Sequence, residues 1–262
     1  MAQSADRRSP ERLRVHYEVE RALADRLKAA ATRAERSRIF ATMYTELFAQ
    51  VPDHPRLTVQ RDPAAEARGV QRLLGLLRPH LHSGLEYVEF GAGAGALALA
   101  VCPYVKRVRA VEIADQIPPG VTRPANFELV LYDGYETGIG PGSVDLVFSE
   151  QFVEHLHPQD AEDHFALVHR LLRPGGRSLL RTPERWTGPH DVSRGFSDTP
   201  QGFHLREWSY RELAATARAL GYRRQITLWN GGPICVRWTL GAAVVAEAAA
   251  APLPGTTRST ST

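Results

Sequence analysis

Cysteine is scarce in this chain: Cys102 and Cys235 are the only two in 262 residues. So small and widely spaced a set excludes a disulfide framework and fits a reducing compartment. It reads as two buried, small apolar side chains rather than a metal site. Lysine is almost missing, with Arg outnumbering Lys 30 to 2, a compositional bias that carries no mechanism. No apolar run approaches the ~20 residues of a membrane span, and the opening "MAQSADRRSPERLR" has no apolar core of a secretory signal. The expectation is a soluble cytoplasmic protein with no membrane partner. The net charge of +3 sits in residues 1–50, where ten Arg or Lys meet seven Asp or Glu. These charges alternate in sign, as on a solvated helix face. A dense basic stripe with stacking aromatics is missing, so no nucleic-acid partner is expected.

What is present is the patterning of one sizeable core with a small cap. In the first 50 residues Ile39, Phe40, Met43, Tyr44, Leu47 and Phe48 recur at helical spacing, and Pro52 and Pro55 end the pattern. This predicts an N-terminal helical cap over residues 1–60. A main domain over 61–240 opens on a helix with Asp62 as N-cap and Pro63 at its first position. "LEYVEF", "RVRAVEI", "NFELVLYD", "SVDLVFS" and "GRSLLRTP" then read as strands, with helical "GALALAVC" and "AEDHFALVHRLL" between them. Alternation of this kind gives an α/β fold with a mostly parallel sheet. The strands are continuously apolar, as when helices cover both faces. "SYRELAATARALGY" carries a capping box, Ser209 with Glu212. Two closing strands around Gly231-Gly232-Pro233 make a terminal antiparallel hairpin, and residues 241–262 read as a disordered tail.

"EYVEFGAGAGALALAVC" (86–102) places three glycines between a strand and a helix. As G-x-G-x-x-G/A it fits Gly91, Gly93 and Ala96, the loose nicotinamide dinucleotide fingerprint, with Glu112 where a ribose ligand belongs. As E-x-G-x-G-x-G it fits Glu89, Gly91, Gly93 and Gly95, a form that binds S-adenosylmethionine. Three features favour the second. Glu89 repels a pyrophosphate and attracts an ammonium or sulfonium. "YDG" (132–134) ends the third strand with an acid and a glycine. The order of elements closes on a helix and two strands.

On "VEFGAGAGALAL", "AVEI", "LYDG", "VDLVFSEQFVEHLHPQD", "LLRPGG" and "GFHLREWSYRELAATARALGY", residues 86 to about 240 resemble a class I S-adenosylmethionine-dependent methyltransferase. The resemblance implies a Rossmann-like seven-stranded sheet, with S-adenosylmethionine over the carboxyl ends of the first strands. It implies Glu89 at the methionine amino group and the backbone of Gly91, Ala92, Gly93 and Gly95 beside the methionine part. Glu112, with Ile113 next to it, takes the ribose hydroxyls; Asp133 and Gly134 meet the adenine. Ser149, Glu150 and Gln151 line the methyl-donor side. One departure is plain: "IADQIPPGVTRPANF" leaves no room for a full helix in the second crossover.

Methyl transfer to a protonated oxygen or nitrogen needs alignment and a base. Six of the ten histidines lie between 155 and 204. His164 and His169 fall inside a helix and read as structural. His190, oriented by Asp191 or another nearby acid, is the expected base, and His155 is the other candidate. Trp186, His204 and Trp208 are expected to contact the acceptor, the aromatics having core packing as their equal alternative. A divalent metal on His190, Asp191 and His204 has no diagnostic spacing, so none is expected. The expected function is transfer of a methyl group to a small-molecule acceptor, chiefly at oxygen, in secondary metabolism or glycan modification. The alternatives are an NAD-dependent oxidoreductase and a catalytically silent binding protein on the same scaffold.

Overall fold

The computed structural model describes residues 8–58, 62–228 and 234–240. The Gly231-Gly232-Pro233 turn, the expected tail and the boundary between cap and main domain near residue 60 lie outside the described residues. Seven strands form one sheet: β1 (Glu86–Phe90), β2 (Arg107–Glu112), β3 (Phe127–Leu131), β4 (Val144–Glu150), β5 (Leu172–Thr182), β6 (Tyr222–Leu228) and β7 (Ile234–Leu240). Their order is β3-β2-β1-β4-β5-β7-β6. Strands β1 to β5 pair in parallel, and β7 runs antiparallel to both β5 and β6.

Alternate residues of a strand point to opposite faces, and here both faces are packed. Val88 and Phe90 of β1 face one core with Phe165 and Leu171, while Tyr87 faces another with Leu74, Leu77 and Leu97. The first core is closed by α6 (Pro158–Leu171) and α7 (Tyr210–Ala219); the second by α4 (Pro63–Leu77) and α5 (Ala96–Val101). Asp62 caps α4 by accepting Ala64 N–H, and Ser209 and Glu212 form both halves of the capping box on α7. Between β2 and β3 there is no helix among the described residues. Cys102 and Cys235 are both free and buried.

The cap consists of α1 (Pro10–Ala29), α2 (Arg33–Gln50) and the single turn α3 (Pro55–Thr58). Leu23, Leu27, Met43 and Leu47 bury against Phe203 and Leu205, so the apolar stripe of α2 closes on the segment that follows β5. A buried ion pair fastens the cap to α6: Arg36 Nε and Nη2 donate to the two oxygens of Asp160 at 2.8 and 2.6 Å. Glu20 of α1 accepts Phe203 N–H at 2.8 Å, and Tyr17 donates to Gln201 at 2.5 Å.

Candidate active site

From β1 the chain runs outward through β2 and β3 on one side, then crosses back to place β4 on the other side of β1. That reversal opens a crevice at the carboxyl ends of β1 and β4, where α/β sheets place ligands. Gly91, Gly93 and Gly95 all have positive φ, of 68°, 53° and 74°, a conformation natural to glycine. The Gly91 position is also crowded, because the Phe152 ring beyond β4 lies against it. At Gly93 an added Cβ would meet no atom within 4 Å, so this peptide is open to a ligand.

Glu112, at the end of β2, crosses to this turn. Its Oε2 accepts Gly93 N–H at 3.0 Å and its Oε1 accepts Ile113 N–H at 2.8 Å. Each carboxylate oxygen keeps a further lone pair, so the side chain is locked in place and still able to receive hydroxyl groups. Ile113 and Leu131, at the ends of β2 and β3, are more than half exposed and offer apolar surface beside it. Asp133 Oδ1 accepts the N–H groups of Tyr135 and Glu136. The Glu136 and Tyr135 backbone bonds hold its carboxyl below the usual range. Gly134 follows with φ of 97°.

Glu89 departs from the charged acid expected ahead of the turn. It is buried, its Oε2 accepts the Tyr87 hydroxyl at 3.1 Å, and burial pushes its pKa up to about 8. At neutral pH this carboxyl is largely protonated, so its power to repel a pyrophosphate is weaker than the bare sequence suggests.

On the β4 side Ser149 is buried and Glu150 Oε1 accepts from Arg181 at 2.7 Å. Gln151 is the one described non-glycine residue with positive φ, at 50°. Its N–H is held by the Arg181 carbonyl at 2.8 Å, and its buried side-chain Nε2 has no hydrogen-bond partner. Strain of this kind persists where the surroundings over-determine it, and it concentrates at ligand sites.

Beyond Gln151 the chain makes a short turn over Val153–His155. Here the structure gathers residues from three distant segments. His155 Nδ1 stands 2.9 Å from the Phe203 carbonyl, and burial lowers its pKa to about 4. His190 is held by Glu207, which accepts its N–H at 2.7 Å and faces its Nδ1 at 3.1 Å; Thr187 Oγ1 is 3.2 Å from its Nε2. The same Glu207 takes His204 Nδ1 at 2.8 Å. Burial opposes the charge on His204, but Glu207, Glu154 and Asp191 outweigh it and raise its pKa.

Glu207 is therefore the acid that orients His190, and Asp191 is not: both Asp191 oxygens serve backbone N–H groups, those of Ser193 and Gly202. Among the described residues, the ligand atoms of His190, Asp191 and His204 do not come together as a trio. Trp208 is 2% exposed, edge-on to Phe165 and donating to the Val153 carbonyl, so its ring is core and offers no face to an acceptor. Trp186 is 75% exposed with Arg185 over its ring. His164 packs edge-on between Phe90 and Phe152, as a structural histidine does. Sequence reasoning missed Phe152, Glu154, Thr182 and Glu207. The i, i+3 spacing of His204 and Glu207 was the available signal for the last of them.

Known proteins resemble this chain in sequence and in fold. Residues 88–180 match the family model described as a methyltransferase domain. A probable S-adenosylmethionine-dependent methyltransferase of Mycolicibacterium smegmatis is 30% identical over 151 residues, 57% of this chain. The chain spans 56% of that relative's length. Among solved structures, magnesium protoporphyrin IX methyltransferase of Synechocystis, with bound S-adenosylhomocysteine, superposes with a TM-score of 0.53 at 12% identity. That match covers 70% of this chain and 89% of the other. An N-methyltransferase of Bradyrhizobium japonicum gives 0.50 at 15% identity, covering 69% and 98%. The chain shares its fold with these methyltransferase structures, and residues 88–180 are similar in sequence to the methyltransferase-domain model. No described helix is long and apolar enough to cross a membrane.

Proposed function

We propose that this chain transfers the methyl group of S-adenosylmethionine to an oxygen of a small-molecule acceptor held between the sheet and the helical cap. One observation carries the donor half: Glu112 is pinned by Gly93 and Ile113 N–H groups, with lone pairs left for a ribose. Glu89 receives the methionine ammonium, the Gly91, Ala92, Gly93 and Gly95 backbone borders the methionine, and Ile113, Asp133 and Gly134 border the adenine. Ser149, Glu150 and Gln151 face the transferring methyl.

The acceptor half rests on the histidines around Glu207. His190 takes the acceptor proton; a buried carboxylate fixes its ring, and 27% of its side chain stays exposed. Trp186 and His204 contact the acceptor, and His155 stands as the second candidate base. The cap borders this space, since Tyr44 of α2 packs edge-on against Phe203, whose carbonyl faces His155.

Calorimetric titration with S-adenosylmethionine, S-adenosylhomocysteine and NAD tests the donor. Binding of the first two is expected, and binding of NAD alone overturns the proposal. A screen of hydroxylated acceptors, read as methylated product by mass, tests the transfer. His190→Ala is expected to slow turnover by 10²–10⁴-fold with donor affinity unchanged.

A further inference from the structure

The described residues bring metal-ligand side chains together in two places, and only one of these is free to take a cation. At His16, Glu20 and His54 the atoms are already committed. His16 Nε2 meets Glu20 Oε2 at 3.0 Å, Glu20 Oε1 holds Phe203 N–H, and His54 Nδ1 accepts Arg56 N–H at 3.1 Å. The Arg8 guanidinium, 2.9 Å from His16 Nδ1, opposes a further positive charge.

Glu154, His155 and His204 are different. One ligand atom from each lies within 4.8 Å of the other two. Glu154 is fully buried; its Oε2 accepts the Thr182 hydroxyl at 3.0 Å, while its Oε1 is buried with no hydrogen-bond partner. An orphaned carboxylate oxygen is costly to bury and calls for a partner. His155 Nδ1 faces the Phe203 carbonyl, which only accepts, so that nitrogen carries the proton and the neutral ring keeps its lone pair on Nε2. His204 Nδ1 faces the Glu207 carboxylate, with the same result. The two rings meet edge to face, 4.9 Å apart. All three side chains are thus oriented from behind, by a hydroxyl, a carbonyl and a carboxylate, as the outer partners of metal ligands do.

We propose that Glu154, His155 and His204 bind one divalent transition-metal ion of the zinc or iron(II) type at the acceptor end of the cleft. Two imidazoles with one carboxylate suit such an ion better than magnesium or calcium, which take oxygen ligands. Bonds of about 2.0–2.2 Å put tetrahedral ligand atoms roughly 3.4 Å apart, a contraction that side-chain rotation supplies. Three protein ligands leave a position open for an oxygen.

The role of that position rests on the methyltransferase reading. An acceptor hydroxyl bound there gives its proton to His190, and the metal holds the oxygen anion. Its lone pair forms the O–C bond as the C–S bond of the sulfonium breaks, giving a methyl ether and the thioether S-adenosylhomocysteine.

The test uses the full chain, stripped with a chelator and titrated with Zn²⁺ by calorimetry and with Co²⁺ by visible absorption. One ion per chain is expected, with d–d bands of a low-coordinate nitrogen and oxygen site. Glu154→Gln and His204→Gln should abolish the stoichiometric binding and the bands, and His54→Gln should leave both intact. Glu207→Gln, which spares the ligands, should weaken binding 10–100-fold. Should a ligand variant fail to fold by circular dichroism, the Glu207→Gln shift and the wild-type Co²⁺ spectrum decide. No binding in the wild type, or binding that survives Glu154→Gln and disappears in His54→Gln, overturns the proposal. S-adenosylmethionine affinity, measured in parallel, separates the outcomes: its loss with metal binding intact removes the methyltransferase reading and leaves the metal site standing.

Discussion

A Cβ added at Gly91 would stand 2.6 Å from Cδ2 of Phe152, closer than any real contact of that kind. The end of β1 and the turn after β4 are therefore fitted to each other through the absence of a side chain. Gly91→Ala meets that clash and the penalty of a φ near 68°, itself ~1–2 kcal/mol. The expected result is a measurable loss of stability in urea and a larger loss of S-adenosylmethionine affinity in calorimetry. An alanine variant that binds the donor normally would show that Phe152 moves freely.

Glu89 makes stability depend on pH with a definite sign. Its carboxyl titrates near 4.5 in the unfolded chain and is raised by burial to about 8 in the fold. The folded chain therefore holds the proton more tightly, and this contribution is complete below about pH 4.5. It declines as pH rises toward 8 and is gone above it. Glu89→Gln removes the titration, so wild type should lose stability relative to the variant between about pH 5 and 8. Thermal melts of both proteins across that range give the measurement, and parallel curves would reject the shift.

The proposed seat of the methionine ammonium at Glu89 adds a linked effect. A cation there favours the ionised carboxylate, so donor binding at neutral pH should release a proton. Calorimetry in buffers of different ionisation enthalpy should show that release in wild type and not in Glu89→Gln.

The Arg36–Asp160 pair, with side chains 3% and 8% exposed, ties the cap to α6. Removing one member of a buried pair strands the other charge, at a cost of roughly 3–5 kcal/mol. Asp160→Asn should destabilise the chain by about that amount in chemical denaturation. A double exchange to apolar residues of similar volume should recover most of it.

Gln151 exchanges stability for placement. Glycine adopts its φ of 50° without strain, so Gln151→Gly is expected to hold or raise stability by up to ~1 kcal/mol. Methyl-transfer turnover should fall, because the side chain at the end of β4 is lost. Undiminished turnover would remove Gln151 from the proposed site.

Much of the scaffold was legible in the chain because its signals are local. Asp62 with Pro63, and Ser209 with Glu212, announce helix starts within three residues, and continuous apolar strands announce a sheet covered on both sides. The short second crossover was readable from two adjacent prolines. Glu112 was placed by its distance from the glycine turn, and it does reach that turn. The acid behind His190 showed only in the His204–Glu207 spacing, because Glu207 lies 17 residues from His190 and arrives through an irregular segment. Glu154 sits in a quoted motif, yet its character comes from complete burial and from His204, 50 positions on, and no periodicity encodes either. The burial of Glu89 was hidden for a related reason: a sequence displays a carboxylate and conceals its desolvation.

The helical cap and the stretch after β5 share one apolar core, with Phe203 and Leu205 among Leu23, Leu27, Met43 and Leu47. Apart from Trp208, which packs in the main core, the buried apolar residues of 183–208 rest on the two N-terminal helices. Transplanting that stretch alone onto another enzyme of this fold would leave Phe203 and Leu205 without a bed, and the histidines it carries would lose their alignment. The unit that would have to be inherited or exchanged is the pair, two pieces far apart in the chain that work as a single cassette.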